Sequence, residues 1–228
     1  AAGLFADLVG VLSAVFFCQL FFAESIASSN DDHEIDVVNI QELDPTILVD
    51  LRYSSKNNFL KEDMYGDLEE CFLRRKPAEM LCQANKHLKA SHPELRLLVF
   101  DGLRTRSVQK KLWDALDTIP ISERTQFVAD PKKGSIHNYG AAVDLTLALE
   151  NGSELDMGTK YDHFGELAFP VLEDSLLALG KLTDKQIENR TILRKVMTKA
   201  GFSTIDSEWW HFDAFSYNET KNKYTIVE

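Results

Sequence analysis

The stretch SIHNYGAAVDLTLAL, residues 135–149, decides how the whole chain folds. Its second part, AAVDLTLAL at 141–149, is an apolar run that predicts a buried strand. One acid, Asp144, interrupts this run, and a buried carboxylate without a partner is unfavourable. His137 precedes it by seven residues across Gly140, a residue that permits a sharp bend. We therefore expect the histidine of the loop and the acid of the strand to face each other and to bind one common group.

Strand and helix signals surround this stretch without a strict alternation of single strands and single helices. Strands are predicted at 35–40, 46–53, 95–100 and 141–149, and 207–215 is strand-like. Helices are predicted from Pro77 to His92, from Val108 to Pro120, and from a capping box of Thr183 and Gln186 to Gly201. This pattern predicts an α+β fold with a largely antiparallel central sheet and flanking helices. No repeat or linker interrupts residues 31–228, so we interpret them as a single domain.

The composition excludes several classes of protein. Hydrophobic residues make up 44% of the 228 residues and charged residues 27%, which rules out a disordered, collagen-like or coiled-coil chain. A chain of this length needs no metal merely to fold, so any metal site is a candidate for chemistry. The net charge is −11 and no long basic block is present. We therefore expect no nucleic-acid partner.

The first thirty residues differ in character from the rest. The apolar run at 8–23 has the length of a signal-peptide core, and Ser25-Ile26-Ala27 offers small residues for cleavage. We interpret residues 1–30 as a signal segment and expect an exported protein, periplasmic or secreted, with no stable membrane partner once the segment is removed. No lysine or arginine precedes the run, which leaves an uncleaved anchor or a buried helix as the alternatives.

Candidate chemistry lies with two of the six histidines. His211, in the segment EWWHF, can join His137 and Asp144 to give two imidazoles and one carboxylate. A catalytic zinc takes such a set and keeps its fourth position open. Glu208 lies three residues before His211, where it can accept a proton from water. We interpret the other four as ordinary histidines (His33, His87, His92 and His163), and Trp209 and Trp210 as core and wall of the site.

These motifs together resemble a known family. The form Ser-x-His-x-x-Gly-x-Ala-x-Asp at 135–144 and the form Glu-x-x-His at 208–211 resemble the zinc D-alanyl-D-alanine dipeptidases of the VanX type, peptidase family M15. Further matching positions, in the same order, are Tyr53, Asn58-Phe59, Asp101-Gly102-Leu103-Arg104, Met157-Gly158, Tyr161-Asp162 and Asn189-Arg190. The resemblance covers about residues 40 to 215.

The resemblance implies a fold, a reaction and a role for each matching residue. The fold is the α+β fold of murein peptidases and the hedgehog signalling domain, and the reaction is hydrolysis of the small-molecule substrate D-Ala-D-Ala with one zinc per chain. The implied roles are zinc ligands for His137, Asp144 and His211; general base and acid for Glu208; stabiliser of the tetrahedral intermediate for Arg104; and substrate-holding positions for Tyr53, Ser135 and Asp162.

Three departures from the family pattern concern the shape of the site. Leu103 replaces an aromatic residue, Thr105 a proline and Tyr139 a basic residue, so substrate preference is less fixed than reaction type. One alternative is a DD- or LD-carboxypeptidase that trims murein stem peptides with the same metal set. Another is a non-catalytic, hedgehog-like zinc-binding domain, against which the retained Glu208 and Arg104 argue.

Two cysteines beyond the signal segment allow a disulfide bond. Cys71 and Cys82 flank the Pro77 turn, and in an exported protein they can pair if the chain before the helix folds back.

Overall fold

The computed structural model describes residues 36–228, which form one compact unit. The signal segment predicted at 1–30 and the domain start predicted at residue 31 lie outside the described residues and stay predictions. Among the helices of residues 36–228, none combines the length and the apolar character needed to span a bilayer.

Two sheets form the β structure of this part of the chain. The strands are β1 (Val37–Asn39), β2 (Leu48–Val49), β3 (Phe72–Arg74), β4 (Leu95–Asp101), β5 (Ala142–Leu149), β6 (Ser203–Thr204) and β7 (His211–Asp213). The main sheet has five strands in the order β2-β4-β5-β7-β6. Its β2-β4 pair is parallel, and its other pairs are antiparallel. A small antiparallel pair, β1-β3, lies apart from it.

Helices flank the main sheet and supply much of the core. They are α1 (Ile40–Leu43), α2 (Arg75–Ser91), α3 (Arg106–Ala115), α4 (Glu173–Ala178), α5 (Asp184–Lys199) and α6 (Tyr217–Lys223). The buried face of α2, with Leu81, Ala84 and Leu88, joins the same core cluster as Leu193 and Met197 of α5. The expected α+β fold with a largely antiparallel sheet is therefore confirmed.

The register of the main sheet positions the candidate site. Asp144 of β5 lies opposite Asp101 of β4 on one side and opposite His211 of β7 on the other. Strand β5 is buried along most of its length, as its apolar sequence predicts. An acid in the middle strand is thus brought beside a histidine that lies far away in the sequence.

Three of the predicted strand segments are shorter than expected, and local hydrogen bonds end the first two. The strand predicted at 35–40 stops at Asn39, whose side chain accepts from Gln41 N and starts α1. In the segment 46–53 only Leu48 and Val49 pair with the sheet, and Arg52–Ser54 turns into a 3-10 helix. In the strand-like segment 207–215, only β7 (His211–Asp213) forms a strand.

The predicted helices exist, with shifted ends. Helix α2 begins at Arg75, so Pro77 lies inside its first turn, where no backbone N–H is needed. Thr105 caps α3 by accepting from Val108 N, and α3 ends at Ala115, before Pro120. The predicted capping box of Thr183 and Gln186 is present at the start of α5.

The disulfide that the sequence allows between Cys71 and Cys82 is not formed in the structure, where both thiols are free. Cys71 is buried against the backbone at Gly102, so close that a Cβ added at Gly102 would lie 2.5 Å from its Sγ. Cys82 lies on α2 and is only partly buried. The chain before α2 thus directs Cys71 towards the end of β4.

Candidate active site

Three side chains that the sequence predicts as metal ligands meet in the structure. His137 lies on a 3-10 turn, Ile136–Tyr139, and Gly140 follows it in the left-handed region at a φ of 69°. This is the predicted bend, and it turns the imidazole towards Asp144 at the start of β5. The potential ligand atoms of His137, Asp144 and His211 all lie within 4.8 Å of one another.

The facing atoms form a small triangle. Asp144 Oδ1 lies 2.9 Å from His211 Nδ1 and 3.4 Å from His137 Nε2, and the two nitrogens are 3.3 Å apart. Burial alone would raise the pKa of Asp144, but the imidazoles of His137 and His211 outweigh it and hold the pKa well below its ordinary value. The carboxylate is therefore in the ionised form that binds a cation.

In each imidazole, the nitrogen that does not face the triangle, here called the outer nitrogen, already has a hydrogen-bond partner. His137 Nδ1 lies 2.7 Å from the carbonyl oxygen of Gly102, and His211 Nε2 lies 2.9 Å from Asp213 Oδ1. Both partners are acceptors, so each outer nitrogen carries the proton in the neutral ring. Burial opposes the charged form of His211, but the hydrogen bonds to Asp144 and Asp213 raise its pKa well above the ordinary value, so without a cation this ring binds a proton. A cation that displaces this proton meets a lone pair on each inner nitrogen, and these nitrogens lie 3.3 Å apart.

This donor set fits zinc. Tetrahedral zinc with ligands at about 2.0–2.1 Å places its ligand atoms about 3.3–3.4 Å apart. The observed separations of 2.9, 3.3 and 3.4 Å are close to that spacing. Both histidines also have the hydrogen-bonded outer nitrogen that metal-binding imidazoles usually show.

Arg104 is held rigidly beside this triangle. Its Nε and Nη2 donate to Asp101 Oδ2, and its Nη1 donates to Gln109 Oε1. Asp101 is fully buried and also accepts from Tyr65 Oη and Gly102 N. Within the described part of the chain, three of the five guanidinium donors are used, and Nη2 lies 4.0 Å from Asp144 Oδ2.

Glu208 lies in an irregular segment just before β7, between bends at 206–207 and 209–210. Burial raises the pKa of its carboxyl above the ordinary value, and the charge of Asp144 adds to this, whereas His211 opposes it. Within residues 36–228 its carboxylate makes no hydrogen bond. The group is thus free to exchange a proton with a molecule in the site.

The three residues expected to hold substrate lie on three separate segments: Tyr53 in the 3-10 helix Arg52–Ser54, Ser135 just before the 3-10 turn that carries His137, and Asp162 in a turn. Tyr53 is buried, and its Oη donates to Asp162 Oδ2 at 3.0 Å. Asp162 has a left-handed backbone at a φ of 57°, and burial, with Asp144 nearby, raises its pKa well above the ordinary value. Ser135 lies two residues before His137, and its Oγ is buried without a hydrogen-bond partner among the described residues.

Sequence reasoning did not assign a role to four residues that orient this site: Asp101, Gln109, Tyr161 and Asp213. Asp213 could have been found, because it follows His211 by two residues in a strand, and such residues share a face. Asp101 lies in the motif that contains Arg104. Gln109 and Tyr161 carry no local signal, since their partners are set by tertiary packing.

The comparison with protein families gives a match over nearly all the described residues. The family model described as D-ala-D-ala dipeptidase, peptidase M15, matches residues 33–226. The chain belongs to this family. It is accordingly a peptidase, and the family implies a small peptide as substrate.

Curated relatives carry the same family name. The D-alanyl-D-alanine dipeptidase of Escherichia coli (strain K12) is 30% identical over 178 residues, covering 78% of this chain and 84% of that protein. The D-alanyl-D-alanine dipeptidase of Enterococcus faecium is 27% identical over 196 residues, covering 78% and 91%. Among solved structures, the LdcB LD-carboxypeptidase aligns with a TM-score of 0.44 and 16% identity over 88% of this chain and 81% of that one.

Proposed function

We propose that the protein hydrolyses the D-Ala-D-Ala dipeptide at one zinc ion held by His137, Asp144 and His211, in cell-wall peptide metabolism or glycopeptide resistance. The observation that carries the proposal is the triangle of facing ligand atoms, 2.9–3.4 Å apart, whose outer nitrogens are already hydrogen-bonded. The chain's membership of the D-Ala-D-Ala dipeptidase family supports the choice of reaction.

The residues around the triangle divide the chemistry between them. A zinc ion bound there supplies Lewis acidity toward a carbonyl oxygen and lowers the pKa of water. Glu208 accepts the proton of the attacking water and passes it to the leaving amine, a role suited to a half-buried carboxyl with a raised pKa. Arg104 directs its uncommitted N–H groups to the oxygen that gains negative charge.

Asp162 is suited to hold the substrate's ammonium group. Burial makes its ionised form unfavourable without a cation, and a dipeptide's free amino group supplies one. Tyr53 orients the carboxylate through its hydroxyl. The unpartnered Oγ of Ser135 is available for a polar group of the same substrate.

A cavity next to Asp162 supports a second candidate, the murein DD- or LD-carboxypeptidase. The cavity measures about 420 Å³, and its lining includes Asn58, Phe59, Tyr161 and Asp162. A longer peptide needs space of this kind on the amino side of the scissile bond. No such observation supports the non-catalytic, hedgehog-like alternative. A metal with a purely structural role does not require a guanidinium held beside it, as that of Arg104 is.

The metal proposal is tested by zinc analysis of the purified protein. The parent should bind about one zinc per chain, and His137→Ala should lose it, because two protein ligands remain of three. His87→Ala serves as the matched control and should keep the metal. Full zinc content in His137→Ala would contradict the ligand assignment.

The activity is tested by incubating zinc-loaded protein with D-Ala-D-Ala, its N-acetylated form and a stem pentapeptide, and measuring the D-alanine released. The dipeptide should be preferred over the N-acetylated form by roughly a hundredfold in kcat/KM, because an amide leaves Asp162 without its cation. Equal values would move the protein to the carboxypeptidase assignment. No release from any substrate would favour the non-catalytic alternative.

We also propose that the protein is exported by means of residues 1–30. The apolar run at 8–23 and the small residues at 25–27 support this. Expression of the full chain, followed by fractionation and amino-terminal sequencing, is the test. A protein that stays in the cytoplasm with residues 1–30 intact would contradict it.

A further inference from the structure

The two oxygens of Asp144 have different surroundings. Oδ1 faces the two imidazoles of the proposed metal centre, whereas Oδ2 accepts a hydrogen bond of 2.9 Å from Tyr161 Oη. Asp144 is itself buried, with 3% of its surface exposed. The tyrosine hydroxyl therefore binds the carboxylate oxygen that does not face the proposed metal centre.

Tyr161 is fixed by aromatic neighbours on several sides. Its ring centroid lies 5.1 Å from that of Phe100, 5.5 Å from that of Trp210 and 6.2 Å from that of Tyr53. Aromatic pairs at these separations stabilise one ring orientation. The hydroxyl thus reaches Asp144 from a rigid support.

The backbone next to Tyr161 has an uncommon conformation that serves the same cluster. Asp162 adopts a φ of 57°, a region that residues other than glycine seldom occupy. Tyr161 hydrogen-bonds to Asp144 while the next residue, Asp162, hydrogen-bonds to Tyr53, and the rings of Tyr53 and Tyr161 are in contact. Consecutive side chains therefore both serve the site, and strain at such positions is common where function requires it.

We propose that Tyr161 is a positioning residue that restrains Asp144 to binding the metal through Oδ1 alone. A carboxylate can bind a cation through one oxygen or two, and a hydrogen bond to the second oxygen favours the first mode. One-oxygen binding keeps the coordination number low and leaves a position open for substrate or water. This inference rests on the proposed zinc centre, since it concerns how one of its ligands is held.

The test compares Tyr161→Phe with Tyr65→Phe. Both changes remove one hydroxyl from a tyrosine of this aromatic region, but the hydroxyl of Tyr65 donates to Asp101 and not to a metal ligand. Zinc affinity is measured by competition with a chromophoric chelator, and the visible absorption spectrum is recorded after cobalt(II) replaces zinc. Neither readout depends on turnover.

Tyr161→Phe should weaken zinc binding by about 10- to 100-fold, the range for residues that orient a metal ligand. Its cobalt spectrum should lose intensity, because a second carboxylate oxygen raises the coordination number above four. Tyr65→Phe should keep the parent's affinity and spectrum. A Tyr161→Phe protein with both parent values would overturn the role of Tyr161 alone, whereas a parent that binds no zinc would overturn the metal centre and this inference together.

Discussion

Replacing Arg104 by lysine tests whether a rigidly aimed guanidinium, rather than a positive charge alone, serves the reaction. Arg104 makes three side-chain hydrogen bonds, two to Asp101 and one to Gln109. Lysine carries its donors on one nitrogen and cannot span both partners. At least one bond to the buried carboxylate and the bond to the amide are lost.

The structure sets the size of two effects. Both lost bonds have the charged guanidinium as donor, and a hydrogen bond that involves a charged group contributes about 1.5–3 kcal/mol, so Arg104→Lys should lower the free energy of unfolding by about 3–6 kcal/mol. Loss of an aimed donor at a developing oxyanion typically lowers the rate by about 10²–10³-fold, and we expect that fall in kcat/KM.

The assay is D-alanine release from D-Ala-D-Ala by zinc-loaded protein, with urea unfolding measured alongside. Circular dichroism at the assay temperature establishes that the variant is folded. Arg75→Lys is the matched control, since Arg75 makes an ion pair of 3.1 Å with Asp36 in which both side chains are about half exposed. Such pairs contribute about 0–1 kcal/mol, so the control should keep stability and rate. An Arg104→Lys protein as fast as the parent would refute the reasoning.

Three further predictions concern the proton acceptor, the support of a ligand and the thiols. Glu208→Gln should keep zinc and lower kcat by about 10²–10⁴-fold. Burial raises the pKa of Glu208, so the ionised form that acts as base is lost as pH falls. The parent's kcat/KM should therefore begin to decline at a higher pH than it would with a glutamate of ordinary pKa. Asp213→Asn should weaken zinc binding about tenfold or more in a chelator competition, since it removes the charge that orients His211, and unchanged affinity would count against it. Thiol titration of denatured, unreduced protein that lacks residues 1–30 should find Cys71 and Cys82 both free, and a count of zero would restore the disulfide.

Local sequence signals predicted the elements whose causes are local. The apolar run at 141–149 forms β5, and the capping box of Thr183 and Gln186 starts α5. The bend between His137 and Asp144 forms because Gly140 takes a left-handed backbone. Elements of two or three residues, such as β6, have too short a pattern to be predicted, because only pairing with a neighbour defines them.

The sequence by itself determined which chemical groups the protein has for its site: two imidazoles, three carboxylates, a guanidinium and the hydroxyls that accompany them. The tertiary structure alone decided how each group is oriented. The Gly102 carbonyl selects the nitrogen that His137 offers, Tyr161 selects the oxygen that Asp144 offers, and Tyr53 reaches Asp162 across 109 positions of sequence. The physical reason is that hydrogen bonds between distant segments depend on sheet register and core packing, which periodicity along one segment does not encode.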